Sequence, residues 1–520
     1  MKTYITFVTL VLSGLRLVRA QNVSITIPTQ SPSSAFSVAQ DLVAFSIEQD
    51  RWTDWIGTDT PNTFWLNALE NLKQLSGLPT RIRIGANTAD RTNFSFDVEY
   101  ATDVFPATTA AQPYSEATNI TVGQGFYDLA AHLPSKTPVI WGVNFGRNNL
   151  TAAYLQTVAI CKAFTSSAMM TAGVTLQAIE IGNEADFYHN NGVRNSSYSI
   201  LNYVPEWTTF ATNVTKTANA LLGKEVALQG IAFAESSHTT SGFSPQAAFE
   251  LGILESNAGS QVKWISQHQY SASVCSGASL LQNLMNKAFI RGNVTAFSPD
   301  ISATHALGLP YVFGEANSYP CHGVIGVSDT AGASLWALYV LFSAITGVEH
   351  VYFHEGIGYK YNFIQPVTLT RSIDDGSALP TPLAPHIQPT YYAAIIAAEA
   401  IGTSGATTIS ELTLNNPQLS GYAFYENGAL KRALFINLVA FNGDGATRSA
   451  VHVALAGSTG NITVKRLSIP TAESTSGVTW GGQTYETSDA LVSGKLQTQT
   501  VPVSAGVDVH ETEVVMVTFQ

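Results

Sequence analysis

The chain is poor in charge. Of its 520 residues, 12% are Asp, Glu, Lys or Arg and 45% are hydrophobic. That balance excludes an extended disordered chain and is enough to bury a large core. Positive charge is the scarcer sign: 25 Lys and Arg stand against 37 Asp and Glu, a formal net charge of -12. An acidic chain of this kind is not expected to bind nucleic acid. Cysteine is scarce too. Three residues allow at most one internal disulfide, and no Cys/His spacing resembles a zinc site. His268, His322 and His354 fall near expected strand ends without ligand spacing, so neither a metal nor a cofactor is expected. Beyond the N-terminus no run is long and apolar enough to span a bilayer. The C-terminal Val-Thr-Phe-Gln lacks the apolar tail of a lipid-anchor signal, so no membrane partner is expected. Repeats and low-complexity tracts are missing.

What is present begins with an export pattern. Lys2 supplies an early positive charge, Ile5 to Leu12 an apolar stretch, and Val18-Arg19-Ala20 a cleavage-type site, so residues 1–20 read as a signal peptide. The chain is expected to be secreted, extracellular and monomeric. Asn22, Asn93, Asn119, Asn149, Asn195, Asn213, Asn293 and Asn461 each begin Asn-x-Ser/Thr, the pattern of a glycoprotein. Cys275 and Cys321 follow expected strand ends in neighbouring loops and are expected to pair. Cys161 lies in an apolar helical stretch and reads as a buried thiol.

Short β-rich runs alternate with helical stretches. The runs are Leu42–Ile47, Arg81–Gly85, Val139–Val143, Leu176–Ile181, Val226–Ala232, Val262–Gln267, Tyr311–Gly314 and His350–Phe353, with helices such as Thr151–Thr165 and Ala331–Ile345 between them. This cadence predicts an α/β fold, a parallel (β/α)₈ TIM barrel over residues 31–402. The helix Thr390–Ala400 closes it. From residue 403 to 520 the pattern turns to Leu419–Tyr425, Leu430–Val439, Ala450–Leu455, Ile462–Leu467, Leu491–Thr498 and Thr512–Phe519, read as an antiparallel β-sandwich. Asn427-Gly428 is a strong hairpin signal. The alternating segment within 21–30 is expected to join the sandwich.

A barrel of this kind carries its chemistry at the C-terminal ends of its strands. The fourth run ends Ile-Glu-Ile-Gly-Asn-Glu, placing Asn183 and Glu184 at the mouth; the seventh reads Tyr-Val-Phe-Gly-Glu, placing Glu315 there. A single strand-end Glu is as often an ion-pair partner or a cap. Two on facing strands point to a pair of carboxyls on either side of one glycosidic bond.

These motifs resemble the clan of (β/α)₈ retaining glycosidases, in which the Glu after Asn is the acid/base and the later Glu the nucleophile. Gly-Glu-Ala-Asn-Ser (314–318), Cys-His-Gly (321–323), Val-Ser-Asp-Thr (327–330), Leu-Trp-Ala-Leu (335–338) and Gly-Tyr-Lys-Tyr-Asn (358–362) further resemble fungal members of glycoside hydrolase family 79. That family includes β-glucuronidases and heparanases. The resemblance implies a substrate that is a β-linked glucuronide or other glycan, cleaved without a cofactor. It implies that Glu184 is the acid/base and Glu315 the nucleophile, that Tyr270 hydrogen-bonds the nucleophile, and that Asn183 contacts the sugar 2-hydroxyl. Glu48 and Asp50 match polar sugar-binding positions; a salt bridge with Arg51 or Arg83 is their competing role. Asn87 and Asp90 are further candidates, against simple turn chemistry. Tyr319, Tyr361 and the Gly323 amide are candidates for holding the sugar carboxylate. Exo action on a terminal glucuronide is the leading reading. An endo-acting, heparanase-like enzyme and a catalytically silent carbohydrate-binding protein remain alternatives.

Overall fold

The computed structural model describes residues 21–110, 112–272, 280–443, 447–457 and 459–520. The signal segment 1–20 and Cys275, and with it the Cys275–Cys321 pairing, lie outside the described residues. Cys161 is a free, buried thiol.

Eight parallel strands close into a barrel: β1 (Val43–Glu48), β2 (Ile82–Gly85), β3 (Pro138–Val143), β4 (Thr175–Ile181), β5 (Leu228–Phe233), β6 (Val262–Tyr270), β7 (Tyr311–Asn317) and β8 (Val348–Glu355). They pair in chain order, and β8 returns to β1. The expected α/β barrel is therefore present. Inside it Ala44, Ile140, Ala178, Val312 and Tyr352 pack into a small core, while the alternate residues of each strand face the helices. The helix Ile200–Leu222 buries Tyr203, Val204, Trp207, Phe210, Ala211 and Val214, a stripe at helical spacing. In Leu150–Phe164 the sequon residue Asn149 is the N-cap, its side chain accepting from the Thr151 and Ala152 amides. The single helix expected over Ala331–Ile345 is two, Ala331–Ala337 and Tyr339–Ile345. Among the described residues no helix is long and apolar enough to cross a membrane.

After the helix Tyr391–Ile401 the chain builds two layers, the larger antiparallel and the smaller mixed, because Gln21–Thr26 pairs in parallel with Ala450–Ala456. The larger sheet runs Thr407–Glu411, Leu419–Glu426, Ala429–Asn437, Glu513–Phe519 and Asn461–Ser468, with short edge strands. The smaller one sets Gln21–Thr26 beside Ala450–Ala456 and Val507–His510. The turn at Asn427-Gly428 has φ of 51° and 82°, the left-handed pair a tight hairpin requires. Leu491–Thr498 is not a strand. Leu491, Val492 and Leu496 are exposed, so burial does not hold the segment in a sheet, and pairing resumes at Gln499–Pro502. Leu419, Ala423, Phe435, Val453, Val509 and Val515 fill the space between the sheets. The opposite face of the large sheet shares the barrel's core through Ile409, Phe424, Leu434 and Ile436. The sandwich thus braces the barrel from outside and leaves its mouth open.

Candidate active site

Glu184 and Glu315 reach the mouth by different backbone devices. After β4, Gly182 takes φ 78°, where a Cβ would fall 2.7 Å from Phe145. Glu184 then adopts a left-handed conformation, φ 49° and ψ 46°, and its amide is fixed by the Ala232 carbonyl at 2.9 Å. A non-glycine residue held in this region is strained backbone of the kind that collects at functional sites. Glu315 lies within β7 and is buried. A Cβ on the preceding Gly314 would lie 2.0 Å from Ser266 Oγ on β6, so glycine is what lets β7 approach β6 this closely. One carboxylate oxygen of Glu184, one of Glu315 and His268 Nδ1 lie within 4.8 Å of one another. These are also the side chains that could jointly hold a cation, which two-carboxyl glycoside cleavage does not call for.

The two carboxyls are tuned in opposite directions. Glu315 Oε1 accepts from the Tyr270 hydroxyl at 2.9 Å and Oε2 from Arg83 Nη1 at 2.9 Å. Burial alone would raise its pKa, but the charges of His354 and Arg83 and the Tyr270 hydrogen bond outweigh it and hold the group at about 2. Glu184 is pushed well above the usual carboxyl range by burial, then by the charges of Glu315 and Glu116. Its Oε1 is 2.9 Å from His268 Nδ1, and burial pushes His268 down. Burial also disfavours a charge on His354, yet Glu315 and Glu48 raise it to about 9. Its Nδ1 sits 3.2 Å from the Ser46 carbonyl and its Nε2 3.3 Å from Glu48, so both ring nitrogens of the imidazolium have acceptors.

Arg83 organises the floor of the site and was not among the expected site residues. Fully buried, it donates to Glu180 at 2.7 Å, Ser46 at 2.7 Å, Glu315 at 2.9 Å and Asn183 Oδ1 at 2.8 Å. The ion pair considered for Arg83 with Glu48 or Asp50 is replaced by these contacts. Glu48 and Asp50 are buried away from the cavity: Glu48 accepts from the Thr88 amide at 2.8 Å, and Asp50 from the Ala117 amide at 2.7 Å with Arg51 3.8 Å away. Neither is free to meet a sugar, and Glu48 reaches the site only through His354.

Tyr361, Tyr270, Asn87, Glu116, His322 and Phe187 are among the residues lining a cavity of about 660 Å³ around the carboxyl pair. His322, Glu116, His268 and His354 thus join the expected residues there. Asn183 and Asp90 border a neighbouring cavity of about 430 Å³. Asn183 also donates to Asn87 at 3.1 Å. Asp90 is an anchor rather than an open acceptor: its oxygens take the amides of Phe145 (3.0 Å), Gly146 (2.9 Å) and Asn183 (3.1 Å) and the Tyr188 hydroxyl. Two carboxylate-binding expectations change. Tyr319 is packed into the core and does not line either cavity. The Gly323 amide is turned to the Pro320 carbonyl at 3.3 Å, within a turn where Cys321, His322 and Gly323 all have positive φ. Of the sequon residues, Asn22, Asn149, Asn195 and Asn461 are exposed, whereas Asn93, Asn119, Asn213 and Asn293 are half-buried.

An eight-stranded barrel with two opposed carboxyls at the ends of its fourth and seventh strands is the architecture of a glycoside hydrolase. Residues 421–516 match the glycosyl hydrolase family 79 C-terminal beta domain. A β-glucuronidase of Neurospora crassa is 28% identical, covering 89% of this chain and 87% of that protein. One of Aspergillus niger is 27% identical, covering 93% and 89%. Among solved structures, a 4-O-α-L-rhamnosyl-β-D-glucuronidase from Fusarium oxysporum shares the fold with a TM-score of 0.79 at 24% identity, covering 96% of this chain and all 100% of that one. A family 51 arabinofuranosidase from Xanthomonas axonopodis follows at a TM-score of 0.60 and 15% identity, over 96% and 100% of the two chains. The chain is a glycoside hydrolase, similar over most of its length to these β-glucuronidases and matching the family 79 C-terminal domain in its β-sandwich.

Proposed function

We propose that the enzyme cleaves terminal β-linked glucuronides by double displacement, with Glu184 as acid/base and Glu315 as nucleophile. The observation that carries this reading is that one oxygen of the Glu184 carboxyl and one of the Glu315 carboxyl approach within 4.8 Å, so that the two groups face one space, and that their titration shifts are opposite. Retaining enzymes hold the two groups about 5–5.5 Å apart and inverting ones about 6.5–9.5 Å. Glu184, protonated, gives its proton to the glycosidic oxygen as that carbon–oxygen bond breaks. Glu315, ionised, attacks the anomeric carbon and forms a glycosyl ester. Esterification removes the Glu315 charge, one of the causes that raise the Glu184 pKa. Glu184 is then a carboxylate able to take a proton from water. The water oxygen bonds the anomeric carbon, the ester bond breaks, and Glu315 leaves as a carboxylate.

The similarity to β-glucuronidases over most of the chain supports glucuronate as the sugar. Tyr361 and His322 on the cavity wall supply donors for its carboxylate. The N-terminal pattern and sequons support an exported glycoprotein. A panel of 4-nitrophenyl glycosides with NMR detection of the first-formed anomer tests the enzymatic reading. Glucuronide should be cleaved far faster than glucoside, with β-glucuronic acid released first. Equal rates on both sugars would overturn the substrate, and α-glucuronic acid first would overturn the mechanism.

A further inference from the structure

The ladder between β4 and β5 is short. Among the described residues its paired positions are Ile179 with Leu228 and Glu180 with Gln229. Both lie well below the mouth, so the sheet itself does not fix Glu184 against β5. Other hydrogen bonds do. The Glu184 amide donates to the Ala232 carbonyl at 2.9 Å. In the short turn of helix Ala185–Phe187 that follows, Asp186 accepts the Ala234 amide on Oδ1 at 3.0 Å and the Glu235 amide on Oδ2 at 2.8 Å. Its side chain is buried. Both ends of this clasp are strained. Glu184 is left-handed. On β5, Ile231 and Ala232 have φ of 84° and 39°, at a bulge where Ile231 pairs with Ser266 but Phe233 with the very next residue, Gln267. A β-branched residue at positive φ persists only where its surroundings hold it, and bulges of this kind re-aim the strand beside an active site. Here the bulge presents the Ala232 carbonyl to the acid/base. Ala234 and Glu235, whose amides Asp186 takes, line the main cavity beside Glu184. Burial and then the charge of Glu184 raise the Asp186 carboxyl to about 7, while its two amide bonds favour the ionised form. When Glu184 holds its proton, that opposing charge is absent.

We propose that Asp186 is a positioning residue for the acid/base: its carboxylate clasps the bulged end of β5 and so holds the strained turn that aims Glu184 into the cavity. The inference rests on the reading of Glu184 as the acid. A carboxylate gives each amide its own oxygen. Asp186→Asn keeps the size but sets an NH₂ group against one of the amides, and Asp186→Ala removes both acceptors. A displaced acid delivers its proton poorly, which matters most for the most basic leaving group. The test measures kcat/KM of full-length wild type, both variants and Glu184→Ala on 2,4-dinitrophenyl, 4-nitrophenyl and phenyl glucuronides and a β-glucuronyl-galactose disaccharide. Each rate is divided by the fraction of sites labelled by 2-deoxy-2-fluoro-β-glucuronyl fluoride, which removes misfolded chains from the comparison. Asp186→Asn should lower the phenyl glucuronide and disaccharide rates about 10–100-fold and the dinitrophenyl rate much less. Asp186→Ala should show the same order with larger losses, approaching Glu184→Ala. A merely structural residue would lower every substrate alike. Equal losses on all leaving groups, or none, in the Asp186 variants therefore overturn the proposal. If Glu184→Ala itself loses equally on all of them, the reading of Glu184 as the acid fails instead.

Discussion

Tyr270→Phe removes one hydroxyl and nothing else from the site. That hydroxyl donates to Glu315 Oε1 at 2.9 Å, and it is one of the groups holding Glu315 at about 2. A hydrogen bond to a charged acceptor contributes roughly 1.5–3 kcal/mol, equivalent to roughly one to two pKa units. The Arg83 bond to Oε2 at 2.9 Å remains, so the carboxyl stays depressed but less so. Removing a cause that lowers the pKa raises it, and the nucleophile is then protonated at higher pH. The acid limb of kcat/KM should move upward by about one to two units, while the alkaline limb, set by Glu184, stays nearly fixed. Glu315 has a depressed folded-state pKa, so its contribution to stability exists above the unfolded value and disappears as pH falls through the folded one. The variant should therefore also lose acid tolerance. A pH–rate profile and thermal unfolding across the acid range read both effects. An acid limb that does not move would refute the assignment of Tyr270 as a donor to an ionised nucleophile.

Glu184→Ala should reduce cleavage of unactivated disaccharides by about 10²–10⁴-fold and spare good aryl leaving groups in the first step; azide should restore turnover and release glucuronyl azide. Azide without effect would count against Glu184 as acid/base. Asp90→Ala leaves three backbone amides and the Tyr188 hydroxyl without their acceptor, at about 1–3 kcal/mol for each buried group left unsatisfied, so the unfolding temperature should drop by several degrees and kcat should fall with it; an unchanged unfolding temperature contradicts its role as the clamp between β2, β3 and β4. His354, raised to about 9 by its carboxylate neighbours, contributes stability present in full below its unfolded pKa and lost as pH rises through about 9; His354→Phe should flatten that alkaline decline in a thermal-unfolding series.

The barrel was legible because buried parallel strands are written as short apolar runs at regular spacing, and β4 and β7 fall within a residue or a few of the runs ending at Ile181 and Gly314. The positions of Glu184 and Glu315 follow from where those runs stop. What the sequence does not carry is the path of the loops. Glu48 and Asp50 also stand at a strand end, yet β1 is covered by the Thr88 and Ala117 segments, whose amides each engage one oxygen of these carboxylates and bury both groups. Tyr319 lies four positions from the nucleophile and Tyr361 far from it, but only Tyr361 borders the cavity, because the intervening turn passes through left-handed backbone at Cys321 and His322. Arg83 is hidden for another reason: its partners Glu180 and Glu315 are 97 and 232 positions away, so its charge looks like any other until the barrel closes. The sequence predicts a strand over Leu491–Thr498, but its apolar residues Leu491, Val492 and Leu496 are exposed, so burial does not hold the segment in a sheet.

The most direct test of the account is to trap the intermediate. A 2-deoxy-2-fluoro-β-glucuronyl fluoride should inactivate the enzyme with time and add one fluoroglucuronyl group, and peptide mass spectrometry should place it on Glu315, within Phe313–Asn317. Label on Glu235, Glu355 or Glu184 would contradict the assignment of Glu315. Rapid turnover of the reagent's parent glucuronide with no label anywhere would contradict a covalent mechanism altogether.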